Sequence, residues 1–241
     1  MPDQEAVAGS DTFAVVICSK YEQNLRHSMA ALTRNEHMDD GRIIVVDDGA
    51  GTGAARADLP GVQWVPGKAP FSFPRNVNIG IRRAWETLGE GCDIILMNDD
   101  AQLTTKNGFS LLREICYAET GRGEKVGMIA PSCDDVGCVA QKVSGSQDLR
   151  YYPMVCFVTV YLRAAMLHDI GLLEEAFPGY GYDDNDMCIR AGQEGWKIAI
   201  TERVFMDHAT LPSSFRVIER KDFENRYRAG AEAFQLKWGK K

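Results

Sequence analysis

Short runs of apolar residues recur along the chain, each followed by a polar loop and then by a stretch with helical spacing. Phe13–Cys18 (FAVVIC), Arg42–Val46 (RIIVV) and Cys92–Met97 (CDIILM) read as buried strands. Between them, Asn24–Asn35 places Leu25, Met29 and Leu32 on one helical face, and Arg75–Leu88 is helical in the same way. Val62–Val65 predicts a further strand, Lys106–Glu119 a helix and Val126–Ala130 another strand. Strand and helix in alternation require crossover connections, so the fold class is α/β, with a mostly parallel sheet flanked by helices. In such sheets ligands bind at the carboxyl ends of the strands.

The second half is less regular. Ala50–Gly61 is rich in Gly and Ala and predicts a loop or short turn, and Asp134–Leu149 a hairpin or mobile loop. Met154–Leu162 (MVCFVTVYL) predicts a strand, Ala164–Ile170 a helix, and Asp183–Glu194 a helix that starts on acids, as the positive end of a helix dipole favours. Residues 1–12 read as a flexible leader. In the tail, Phe223, Tyr227, Ala231, Phe234 and Trp238 recur about one helical turn apart, which predicts an amphipathic C-terminal helix.

Charge narrows the function classes. The net charge of −7 argues against a uniformly basic nucleic-acid binder, yet residues 212–241 carry eight Lys/Arg against four Asp/Glu. The N-terminal MPDQEAVAGSD lacks the charged-then-apolar order of a signal peptide, and the longest apolar runs are about half a membrane span. Seven scattered cysteines without paired metal-site spacing read as reduced thiols, pointing to a cytoplasmic protein with no transmembrane segment.

Three acidic clusters stand next to the ordered elements: Asp47-Asp48, Asn98-Asp99-Asp100 and Asp183-Asp184-Asn185-Asp186. Turn formation and helix capping account for any one of them alone. Carboxylates crowded at a strand end repel one another unless a cation compensates. Mg²⁺ or Mn²⁺, shared between Asp99-Asp100 and substrate phosphates, is the economical solution, with His208 as a candidate nitrogen ligand. A carboxylate at the helix start, beside an acceptor hydroxyl, can take its proton. The glycines around these clusters match neither GxGxxG nor the phosphate-loop pattern, and no G-x-S-x-G elbow is present.

Taken in order, these segments resemble the family 2 glycosyltransferases and their GT-A-fold relatives, from Phe13 to about Ser214. IIVVDDG (43–49) is similar to the family's second strand, FPRNVNIGIRRA (73–84) to its Arg-Asn-x-Gly-like segment, and IILMNDD (94–100) to its DxD-type motif. The most specific match is DIGLLEEAFPGYGYDDNDMCIR (169–190) followed by Gly195-Trp196-Lys197-Ile198, similar to the block that carries the family's catalytic base. The chain departs from the pattern in having Asp183 where Glu is common and Asn98 where an acid is common.

The resemblance implies a GT-A-type, Rossmann-like domain over 13–214, and the amphipathic spacing predicts that the basic tail 215–241 packs on it. It implies an inverting hexosyl transfer from a nucleoside-diphosphate sugar, a UDP-sugar first among donors, dependent on Mn²⁺ or Mg²⁺. By it, Ser19 and Asp48 line the donor-base pocket, and Arg75 and Asp99 face nucleotide or sugar. Asp100 and His208 hold the metal, and Asp184 is the general base. The implied acceptor is a hydroxyl of a saccharide or glycolipid, with hydroxymethylated DNA admitted by the basic tail. A nucleotidyltransferase and an inactive sugar-binding module are the rival readings. The first lacks its Gly-rich basic loop, since Cys18–Asn24 has one lysine and no glycine.

Overall fold

The computed structural model describes residues 12–48, 53–177, 181–213 and 220–239; the expected leader, apart from Thr12, lies outside them. Four parallel strands, β1 (Phe13–Ser19), β2 (Ile43–Asp47), β3 (Val62–Pro66) and β4 (Asp93–Asn98), lie in the order β3-β2-β1-β4. They alternate with α1 (Glu22–Asn35), α2 (Gly53–Asp58) and α3 (Phe73–Leu88). Then follow β5 (Gln102–Leu103), α4 (Gly108–Gly121), β6 (Val126–Cys133), β7 (Arg150–Tyr151), β8 (Thr159–Leu162), α5 (Ala164–Ile170), α6 (Asp183–Gln193), β9 (Lys197–Asp207) and α7 (Arg220–Trp238). Strand β8 enters antiparallel between β4 and β6, β6 pairs parallel with β9, and β5 and β7 add antiparallel to β9. Among the described residues the result is one nine-stranded sheet.

The uniformly apolar strands follow from burial on both faces. Along β1, Val15 and Ile17 join a core with Leu25 and Leu32 of α1 and Phe109 of α4, while Ala14 and Val16 join a second core with Val77, Ile81 and Ala84 of α3. A period-two alternation sends neighbouring side chains to opposite faces, and here both faces are covered. Helix α3 sits so close to the sheet that a Cβ on Gly80 would fall 2.3 Å from Val16 Cγ1.

Three segments differ from expectation. Of Ala50–Gly61, residues 50–52 lie outside the described residues and Gly53–Asp58 forms the six-residue helix α2, with Ala55 wholly buried and Leu59 packed on the same core. Of Met154–Leu162 only Thr159–Leu162 pairs in the sheet; the Cys156 N–H instead donates to Gln141 Oε1 at 2.6 Å, and Cys156, Phe157 and Val158 line a cavity. Asp134–Leu149 is no hairpin but a fastened loop with a 3-10 turn at Val139–Gln141. Glu202 of β9 takes the Ser144 and Gly145 N–H groups at 2.8–3.0 Å, and Asp134 Oδ1 takes those of His208 and Ala209 at 2.9 and 3.1 Å.

All seven cysteines are free thiols. No helix among the described residues is long and apolar enough to cross a membrane.

Candidate active site

A cavity of about 950 Å³ opens where β1 and β4 end and α6 begins. Parallel strands leave their carboxyl ends on one rim, and the loops leaving β1 and β4 bring Lys20 and Asn98-Asp99-Asp100 there. Helix α6 brings Asp183 and Asp184, and the chain after β9 brings His208. Asp99, Asp100, Asp184 and His208 therefore share one cavity, although up to 109 positions separate them in sequence.

Asp99, 5% exposed, fastens the turn from β1 into α1. Its Oδ2 accepts from Ser19 Oγ at 3.1 Å, Lys20 N at 3.0 Å and Tyr21 N at 3.4 Å, and its carbonyl accepts from Ser28 Oγ at 2.6 Å. Burial nonetheless raises its pKa to about 6; the hydrogen bonds oppose the rise, and the neighbouring Asp100 charge adds to it.

Asp100 Oδ1 lies 3.2 Å from His208 Nε2, and His208 Nδ1 is held by the Asp135 carbonyl. Burial alone would lower the His208 pKa, but the Asp100 carboxylate outweighs it and lifts the imidazole to about 11. The same pair suits a hard divalent cation. Two adjacent ligand atoms of an octahedral ion with bonds of about 2.1 Å stand about 3.0 Å apart. With Nδ1–H given to the Asp135 carbonyl, a cation that displaces the Nε2 proton would find Nε2 as its ligand atom. No cluster of three or more potential ligands occurs among the described residues, so the remaining positions around such an ion would fall to substrate oxygens and water.

Asp183 and Asp184 open α6. Tyr182 occupies the cap position with φ of 72°, in the left-handed region that an aromatic residue enters at a cost of about 1–2 kcal/mol. Burial, then the Asp184 charge, raises Asp183 to about 7, and burial raises Asp184 as well. Asp186, in the same turn, is wholly buried and serves structure: its Oδ2 accepts from Arg190 Nε at 2.8 Å. The Arg190 guanidinium in turn holds the Ile170 and Leu172 carbonyls at 2.6 and 3.0 Å.

Ser19, Asp48 and Arg75 do not line the cavity. Ser19 is wholly buried against Asp99, and its carbonyl accepts the Asp48 N–H at 3.3 Å at the end of β2. Arg75 Nη2 holds the carbonyls of Lys68 and Pro70, bracing the segment that presents Phe71 to the cavity. In the family-like segment of α3, Asn78 ties the helix to the chain before α6: its amide donates to Leu173 O at 2.8 Å and accepts from Leu173 N at 3.0 Å.

Residues absent from the expected site also line the cavity: Lys20, Asp135, Phe157, Phe223, Arg226 and Tyr227. The last three stand at i, i+3 and i+4 on α7, so the amphipathic stripe of the tail is in part a cavity wall. Lys237 and Trp238 clamp the far end of α7 to Asp186, with Nζ and Nε1 at 2.8 and 2.9 Å from its Oδ1. Lys237 also reaches Glu174 Oε2 at 2.9 Å.

No protein-family model and no curated protein sequence matches the chain. Solved structures do. GalNAc-T7 with UDP, GalNAc and Mn²⁺ matches at a TM-score of 0.64 and 12% identity over 82% of this chain and 43% of that one. The mannosyltransferase PcManGT of Pyrobaculum calidifontis, in complex with GDP-Man and Mn²⁺, matches at 0.63 and 13% over 94% and 70%. TarS of S. aureus matches at 0.60 and 13% over 94% and 44%. The chain thus spans less than half the length of two of these proteins. These likenesses show a GT-A glycosyltransferase fold.

Proposed function

We propose that the chain transfers a hexosyl group, with inversion, from a nucleoside-diphosphate sugar to an acceptor hydroxyl, as a family 2-like glycosyltransferase over residues 13–214. One observation carries the reading: a carboxylate suited to base catalysis and an Asp–His pair suited to a divalent cation share one cavity in a GT-A fold.

Asp100 and His208 would hold Mn²⁺ or Mg²⁺, the former being the ion crystallised with GalNAc-T7 and PcManGT. Such an ion, when bound, neutralises charge that grows on a departing diphosphate. Asp99 keeps the β1–α1 turn closed, and with it Ser19 and Lys20, beside which the nucleotide binds. Asp48 and Arg75 act from outside the cavity, the one at the end of β2 and the other by bracing the 68–70 segment.

Asp184 takes the proton of the acceptor hydroxyl as that oxygen bonds to the anomeric carbon, while the bond from that carbon to the diphosphate oxygen breaks. Attack from the face opposite the leaving group inverts the anomeric centre. Burial favours the role: it raises the Asp184 carboxylate above its ordinary range and so makes it a stronger base.

The test is a screen of UDP- and GDP-sugars, measuring nucleoside-diphosphate release with saccharide and glycolipid acceptors. Asp184→Asn should abolish transfer while leaving donor binding in place. Retained turnover in that variant would overturn the base assignment, and no release from any donor would overturn the transferase reading.

A further inference from the structure

The cavity holds two cationic side chains that have no carboxylate partner among the described residues, Lys20 and Arg226. They belong to different walls. Lys20 follows β1, where its backbone N–H binds Asp99, and its ammonium lies 5.9 Å from the Phe71 ring. Arg226 comes from α7 and is exposed. Its neighbour Tyr227 accepts a hydrogen bond from the Tyr182 hydroxyl at 2.9 Å, and Tyr182 stands two residues before the proposed base. The Tyr182 ring also packs at 5.4 Å on Tyr227 and 5.1 Å on Phe234. The helix that carries Arg226 is thereby joined to the wall that carries Asp184, whereas Lys20 follows the turn that Asp99 fastens.

We infer that α7 forms the acceptor subsite, with Arg226 pairing with an anionic group on a saccharide acceptor and the Phe223, Tyr227 and Tyr182 rings offering it stacking faces. This rests on the glycosyltransferase reading and names its acceptor class. A guanidinium that has no carboxylate partner among the described residues, in a cavity otherwise rich in carboxylates, is a specificity element for a carboxylate or sulfate, which it can hold by paired N–H bonds. Aromatic rings with polar tips suit a sugar ring's apolar face and hydroxyl edge together. Charge also limits what enters. A nucleic-acid strand repeats its negative charge at every nucleotide and would set several phosphates against Asp135, Asp183 and Asp184, whereas a saccharide with spaced anionic groups can place one against Arg226 and neutral rings elsewhere.

The experiment titrates the full chain, with Mn²⁺ and UDP or GDP present, with three probes: a hyaluronan tetrasaccharide, neutral chitotetraose and a single-stranded oligothymidylate. The hyaluronan tetrasaccharide should bind at least 10-fold more tightly than chitotetraose. Arg226→Ala should erase that preference, Arg226→Lys should keep part of it, and Tyr227→Ala should weaken both saccharides. Nucleoside-diphosphate affinity, measured separately, should not move in Arg226→Ala. Equal binding of the two saccharides, tighter binding of the oligonucleotide, or lost nucleoside-diphosphate affinity in Arg226→Ala would each overturn the inference. If the wild type binds no nucleoside diphosphate at all, it is the transferase reading that fails.

Discussion

The start of α6 should weaken the fold at neutral pH, and replacing Asp183 should reveal by how much. Asp183 is 8% exposed, and burial together with the Asp184 charge raises it from 3.8 to about 7. A folded-state pKa above the unfolded value means that the native chain binds a proton that the unfolded chain has already released. The contribution of Asp183 to stability is therefore undiminished below about pH 4, falls as pH rises to about 7, and is level above that. At about 1.4 kcal/mol for each tenfold change in proton affinity, the loss is on the order of 4 kcal/mol. Asp183→Asn keeps the shape and removes the charge, so at pH 8 it should be more stable than the wild type by up to that amount. At pH 4 the two should coincide. Urea unfolding of both proteins across pH 4–8 measures the difference directly. A variant less stable than the wild type at pH 8, or a gap that does not change with pH, would refute the burial argument.

Other expectations follow from the same contacts. The transfer rate should fall as pH drops through a pKa above the ordinary carboxylate range, because Asp184 works only when ionised; a rate that stays level down to the ordinary carboxylate pKa of about 4 would contradict this. Gly80→Ala should cost about 1–3 kcal/mol by pushing α3 off Val16, as chemical denaturation would show. Lys237→Ala removes one partner of the buried Asp186 carboxylate and should cost about 1–3 kcal/mol, with faster amide exchange confined to α7; unchanged exchange would mean that the clamp is idle.

The parallel half of the sheet was legible because its signal is local. Val15 and Val16 face different cores, so a strand buried on both faces must be apolar throughout, and β1, β2 and β4 could be read from single runs. The same logic misled at Met154–Leu162, where Phe157 and Val158 are apolar because they join the two cores while their backbone stays outside the strand, a burial that no periodicity distinguishes from a strand's. The loop 134–149 is ordered by Glu202 and by the chain around His208, partners more than fifty residues away. Acidic clusters at strand and helix ends marked Asp99, Asp100 and Asp184, but their convergence on His208 is a product of topology. Arg226 was visible only as one more charge in a basic tail. Its helix is held by contacts distant in sequence, Tyr227 with Tyr182 and Lys237 and Trp238 with Asp186.

On the proposed reading, the Asp100–His208 pair receives a cation that binds a nucleoside diphosphate. Calorimetric titration of UDP and GDP, with and without Mn²⁺, tests it on the wild type and Asp100→Ala. Binding of one nucleotide that needs Mn²⁺ and weakens at least 10-fold in Asp100→Ala is the predicted result. Binding indifferent to the ion, or unchanged in the variant, would contradict it.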